Sequence, residues 1–216
     1  MRAISIETSI HGRVLIREAT VASSAKRFFV GFHGYAQSAE DILSQLELVP
    51  GAEKWTIVAV QALHRFYARG HKAVIASWMT SQDREQAIAD NIVYVNRALG
   101  PLLVEAPEAP IVFAGFSQGV AMAYRAAILG THRPRWVVAV GGDVPPDVRV
   151  APANCFPSIL IAAGESDEWY TSEKLQADAA FLAGHGVTLE VFRYRGAHEW
   201  TAELRHRIHE VLQRLL

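Results

Sequence analysis

Apolar residues along this chain fall into two patterns: short unbroken runs, and longer stretches where they recur every three or four positions. The unbroken runs cover residues 27–32, 55–60, 111–114, 136–140 and 158–163, and a further strand is expected over 187–194. Runs of this length without polar alternation predict strands buried on both faces, as in a parallel sheet covered by helices. The periodic stretches predict helices. Ser38 to Leu48 opens with a serine able to cap the first turn, and Glu40 and Asp41 lie inside that turn, where negative charge suits the helix dipole. Arg84 to Leu99 sets Ile88, Ile92, Val95 and Leu99 on one stripe and is expected to stop before Pro101. Further helices are expected over 120–129, over 175–184 with Gly184 at the end, and over 199–216.

Two weaker signals remain. Residues 3–8 and 13–18 read as short strands turning at His11-Gly12, an edge hairpin within residues 1–18. Residues 61–80 hold no clean period and predict a long loop. Alternating strands and helices predict an α/β fold with a mostly parallel central sheet and helices on both faces. In such sheets chemistry gathers at the carboxyl ends of the strands.

Composition narrows the class. At 216 residues the chain fits one domain, residues 1–216, with a sizeable core; 50% hydrophobic and 20% charged residues are ordinary for a globular protein. A net charge of −1 argues against nucleic acid or a polybasic membrane anchor as partner. Cys155 is the only cysteine, which excludes an intrachain disulfide and a cysteine-based metal site. The first residues lack the apolar core of a signal peptide and no apolar run reaches membrane-spanning length, so a cytoplasmic location without stable membrane insertion is expected. No repeat, dinucleotide fingerprint or phosphate loop is present.

One strand-to-helix junction carries a motif. Gly115-Phe116-Ser117-Gln118-Gly119 follows the run at 111–114 and precedes the helix at 120. A serine so placed matches a nucleophile elbow. Side chains two residues either side of it would strike backbone, and glycine at both flanks removes the collision. The hydroxyl then stands above the sheet, with the next backbone N–H pointing to where an oxyanion would form. The plain alternative is a serine that only caps the helix.

A serine nucleophile needs a base, and the base an orienting acid, in the chain order serine, acid, histidine. His198 sits between the last strand and the last helix, on the sheet edge that holds Ser117; His132 and His185 fall near helix C-termini, and His206 and His209 within the final helix. Asp167, just past the run 158–163, is the candidate acid. Asp143, after the run 136–140, is its rival, and Glu165 and Glu168 are close neighbours. An oxyanion hole needs two backbone donors. Gln118 N–H is one. Tyr35 N–H, in the turn Gly31-Phe32-His33-Gly34-Tyr35-Ala36, is the choice for the other, with Ala36 as runner-up; His33 is expected to support that turn.

The order and spacing of these pieces resemble the phospholipase/carboxylesterase family of small α/β hydrolases, which includes the acyl-protein thioesterases. The resemblance runs from about residue 26 to residue 216 and rests on His33-Gly34, Ser77-Trp78, the Ser117 elbow, Gly164 with Asp167, and Gly196 with His198. It implies the α/β-hydrolase fold, a Ser117–His198–Asp167 triad, and oxyanion N–H groups from Tyr35 and Gln118. It also implies hydrolysis of small or medium acyl esters or thioesters through an acyl-enzyme, with neither cofactor nor metal. Members often form homodimers, and no apolar stripe in this sequence decides for or against one. The chain departs from the family at Ala36-Gln37, at Val120, at Gly141-Gly142-Asp143 and at Glu168 to Thr171, so the acyl and alcohol pockets are expected to differ.

Trp78, Met79, Trp169 and Tyr170 are candidate substrate-binding residues; each could instead be core or packing. The aromatic and cationic stretch 63–72 is either a partial lid within 61–80 or a solvated loop, the second being favoured; His64 and His71 lack the companions a metal site needs. Two other functions remain open: a non-catalytic binding or regulatory protein on a hydrolase scaffold, and a serine peptidase or amidase.

Overall fold

The computed structural model describes residues 2–21, 25–70 and 72–216. Along them run β1 (Arg13–Arg17), β2 (Phe28–Phe32), α1 (Ala39–Glu47), β3 (Thr56–Gln61), β4 (His64–Tyr67), β5 (Val74–Ser77), α2 (Arg84–Val104), β6 (Ile111–Phe116), α3 (Gln118–Ile128), β7 (Trp136–Val140), β8 (Ser158–Gly164), α4 (Ser172–Gly184), β9 (Leu189–Tyr194) and α5 (Ala202–Gln213). Seven strands form one sheet in the order β1-β3-β2-β6-β7-β8-β9, with β1 antiparallel and every other pairing parallel.

The unbroken apolar runs have the expected cause. Successive side chains of a strand point to opposite faces, so each central strand feeds two cores. Val30, Phe32, Val58, Val60 and Phe113 enter one, with Val95 and Leu99 of α2, Met122 of α3, and Leu175 and Leu182 of α4. Phe29, Ile57, Ala59, Val112 and Ala114 enter the other, with Ile42 and Leu46 of α1 and Leu204, Ile208 and Val211 of α5. Each fully buried aliphatic side chain contributes roughly 1.5–3 kcal/mol. The edge strands β1 and β9 keep mixed exposure, because only one of their long sides is paired.

Several boundaries follow from capping. Ser38 accepts the Asp41 N–H while the Asp41 carboxylate accepts the Ser38 N–H, a reciprocal box that starts α1. Thr201 accepts the Leu204 N–H, so α5 starts three residues later than the periodicity predicts. Pro101 lies inside α2 rather than after it. A proline forfeits one intrahelical hydrogen bond, and the last turn holds because Leu102 and Leu103 pack against the core.

Two expectations are corrected. Residues 3–10 form no strand and stay exposed, so the hairpin within 1–18 does not form; Arg13–Arg17 pairs with β3 instead. The alternating Ile4 and Ile6 satisfy a strand period, but both remain exposed. The stretch 61–80 is not a plain loop, since β4 and β5 pair within it as a separate antiparallel hairpin. Its period is invisible because all of β4 is exposed and backbone hydrogen bonds define it. His71 lies outside the described residues. Among the described residues, no helix is long and apolar enough to cross a membrane.

Candidate active site

From β2 the chain moves to β3 on one side, and later reaches β6 on the other side of β2. That reversal opens a crevice at the carboxyl ends of β2 and β6. Ser117 stands there, between β6 and α3, with φ 53° and ψ −120°. Non-glycine residues avoid this region at a cost of about 1–3 kcal/mol. The surroundings hold it: Ser117 N–H donates to Val140 O at 2.9 Å, and Val120 N–H donates to Ser117 O at 3.0 Å. A methyl at Gly115 would lie 2.5 Å from Gly119 O, and one at Gly119 would lie 2.1 Å from Phe32 O. The side chain of Ser117 makes no capping bond to α3, so helix capping does not account for it.

The Gln118 side chain braces the start of α3. Its Oε1 accepts the Trp78 N–H at 2.9 Å, and its Nε2 donates to Met79 O at 3.0 Å.

Asp167 and His198 meet across two loops. His198 Nδ1 lies 2.7 Å from Asp167 Oδ2, and Asp167 Oδ1 accepts the Trp169 and Tyr170 N–H groups at 2.9 Å each. Both loops close tightly: Ser166 N–H donates to Gly196 O at 2.9 Å, and a methyl at Gly164 would lie 2.2 Å from Ala197 O. The Phe116 ring, adjacent to Ser117 in sequence, packs against the His198 ring with centroids 4.8 Å apart. Gly141 and Gly142 floor the space between. A methyl on Gly141 would come within 2.9 Å of His198 Cε1 and 3.3 Å of Asp167 Oδ2, and one on Gly142 within 2.5 Å of Ser117 O. No hydrogen bond joins the Ser117 hydroxyl to His198 among the described residues. Catalytic contacts of this kind commonly tighten only around substrate. Asp143, the rival acid, is exposed and instead faces Lys174 at 3.8 Å.

The turn after β2 lies on the other side of the crevice. Ala36 has φ 58°, and its N–H donates to Ala76 O at 3.0 Å. That bond commits the runner-up oxyanion donor. The Tyr35 and Gln118 N–H groups have no acceptor among the described residues. His33 is buried: its Nε2 accepts the Ala62 N–H at 3.0 Å, and its Nδ1 lies 2.7 Å from Gly34 O. The ring is therefore the neutral Nδ1–H tautomer, tying the turn to β3, and burial holds its pKa below the usual histidine value.

A cavity of about 280 Å³ adjoins Ser117, and Trp169 and Tyr170 are among its walls. Trp78 and Met79 are not. Trp78 is fully buried, its ring near His33 and its Nε1 donating to His33 O at 2.8 Å. Met79 Sδ meets the Arg125 guanidinium at 3.2 Å. Both pack within the core. Arg84, Ala121, Pro145, Pro146 and Lys174 also line the cavity and were not anticipated. Arg84, Ala121 and Lys174 lie in the first turns of α2, α3 and α4, and Pro145 and Pro146 in the segment after β7. Among the described residues, no three His, Cys, Asp or Glu side chains converge as metal ligands.

No protein-family model and no curated protein sequence matches this chain. Solved structures do. The Zea mays acyl-protein thioesterase 2 superposes with a TM-score of 0.76 at 17% identity, covering 94% of this chain and 99% of its own. A Bacillus cereus carboxylesterase gives 0.75 at 15%, covering 95% of each chain. The esterase PE8 gives 0.73 at 19%, covering 96% of this chain and 100% of its own. The fold is that of the α/β hydrolases. Within the α/β-hydrolase fold the antiparallel β1 is an edge strand, and the Ser117 turn and the Asp167–His198 pair share one end of the sheet. The agreement with the resemblance drawn from sequence is an agreement of architecture.

Proposed function

We propose that this protein is a serine hydrolase that cleaves carboxylic esters or thioesters of short acyl chains through a covalent acyl-enzyme. The observation that carries the reading is the strained Ser117 at the end of β6, across Gly141 and Gly142 from a His198 ring whose Nδ1 lies 2.7 Å from Asp167. The esterase, thioesterase and carboxylesterase among the similar structures support the same class of reaction.

His198 Nε2 takes the Ser117 proton as Oγ attacks the acyl carbonyl carbon. The carbonyl oxygen becomes an oxyanion, met by the unoccupied N–H groups of Tyr35 and Gln118. Asp167 fixes the proton on His198 Nδ1 and stabilises the imidazolium. The tetrahedral intermediate collapses, and His198 protonates the departing alcohol or thiol. Water then attacks the acyl-enzyme and gives its proton to His198, which returns it to the departing Ser117 Oγ as the acid is released. The cavity of about 280 Å³ supports a short acyl group.

Hydrolysis of a p-nitrophenyl acyl series from C2 to C12 tests this reading. Turnover with an optimum at the short end is expected, falling by roughly a millionfold in Ser117→Ala. A folded protein that neither turns over any ester nor reacts with a fluorophosphonate at Ser117 would favour a binding role on this scaffold. Preference for a peptide anilide over every ester would point to an amidase.

A further inference from the structure

Behind the cavity wall, α4 buries a carboxylate for which the proposed reaction has no use. Asp178 is 2% exposed. Its Oδ2 accepts the Val144 N–H at 3.0 Å and the Tyr170 hydroxyl at 3.0 Å, and its Oδ1 pairs with the Arg149 guanidinium. The donors come from two separate segments. Val144 ends the stretch holding Gly141, Gly142 and Asp143; Tyr170 ends the loop that carries Asp167.

Tyr170 is gripped at both ends. Its N–H donates to Asp167 Oδ1 at 2.9 Å, and its hydroxyl donates to Asp178. A continuous path therefore runs from Asp178 through Tyr170 to Asp167 and on to His198. A second, shorter path runs through Val144 to the glycine floor between Ser117 and His198. Charged and titratable neighbours of Asp178 are Arg149, Tyr170, Tyr124 and Asp143. The Tyr124 hydroxyl is buried without a hydrogen-bond partner among the described residues. Burial raises the Asp178 carboxyl above its usual range despite its donors. An apolar residue would fill this space without the cost of burying a charge, but could not join three donors from two segments.

We infer that Asp178 is a positioning residue: it fixes the Tyr170 ring as the cavity wall and, through Tyr170, holds the Asp167 carboxylate in register with His198. The inference rests on the hydrolase reading for its kinetic consequence, but not for its structural one.

Three variants test it: Asp178→Asn, Tyr170→Phe and Arg149→Gln. Each is measured for kcat and KM on p-nitrophenyl acetate, and for the low-field proton NMR signal of His198 Nδ1–H. Asp178→Asn and Tyr170→Phe are expected to lower kcat about ten- to a hundredfold, as small misplacements of catalytic groups do, with KM changed less than about threefold. Both should broaden or abolish the low-field signal. The double variant should be no worse than Asp178→Asn alone, because the two act on one path. Arg149→Gln should lower thermal stability while leaving kcat and the signal near wild type. The inference is overturned if folded Asp178→Asn and Tyr170→Phe keep the wild-type signal and kcat, or if Arg149→Gln reproduces their losses. Absence of turnover and of fluorophosphonate labelling in the wild type would instead sink the hydrolase reading, and the NMR signal would still decide the positioning role.

Discussion

The Asp167 carboxylate, with no side-chain surface exposed, sits with one oxygen on His198 Nδ1 at 2.7 Å and the other on two backbone N–H groups. This division of labour dictates the effect of Asp167→Asn. The amide oxygen must face the Trp169 and Tyr170 donors, which leaves the NH2 group facing His198. The imidazole is then forced into the Nε2–H tautomer, which cannot accept the Ser117 proton. A loss of kcat on the order of 10⁴ is expected with the fold intact, measured by ester turnover alongside circular dichroism.

Ser117 is held at φ 53° by its neighbours. Replacement by glycine removes the steric penalty but adds unfolded-state freedom. A net gain of about 1 kcal/mol, or about 2–4 °C in Tm, is expected for Ser117→Gly together with loss of activity. A lower Tm would show that the turn is not strained.

Gln118 is expected to matter for stability through its side chain and for chemistry through its backbone. Gln118→Ala leaves the Trp78 N–H without its acceptor, while Met79 O keeps the Ser77 hydroxyl at 2.8 Å, at about 1–3 kcal/mol. Urea unfolding reads this directly. Because the backbone N–H remains, labelling of Ser117 by a fluorophosphonate should persist in the folded fraction.

His33 makes stability depend on pH. Its folded pKa lies below the ordinary value because burial disfavours the charged ring. The unfolded chain therefore binds the proton more readily, so stability is full above the unfolded pKa of about 6.5 and is lost as pH falls below it toward the folded value. Asp178 acts oppositely in the carboxylate range, since its raised folded pKa makes acidification stabilising until the unfolded carboxyl also protonates. In wild type against His33→Gln, the decline between about pH 7 and pH 5 should flatten in the variant. An unchanged slope would assign it to other groups.

Much of the architecture was legible because it follows from local rules. Apolar runs at 136–140 and 158–163 coincide with β7 and, to within a residue, with β8, since burial on both faces leaves no room for polar alternation. Ser38 and Asp41 announced the start of α1 because a capping box is a local arrangement. The Ser117 junction was legible because two glycines, a strand and a helix must be adjacent in sequence to make that turn.

Other features were decided in three dimensions. β4 and β5 escaped notice because a hairpin with an exposed strand needs backbone partners and no hydrophobic period. Trp78 reads alike as pocket or core until its ring is seen beside His33. The choice between Asp143 and Asp167 as partner of His198 depended on the closure of the 164–167 and 196–198 loops on each other, a contact across some thirty residues of chain. Asp178 gave no signal at all, for a charged residue on a helix normally faces water. By itself, then, the sequence determined the alternation of the central strands and their helices, the two-faced burial of the sheet and the site of the sharp turn, all of which are set by neighbours along the chain. Tertiary structure alone decided which carboxylate meets His198, which N–H groups stay unbonded and which carboxylate is buried behind the cavity, because each depends on packing between segments distant in sequence.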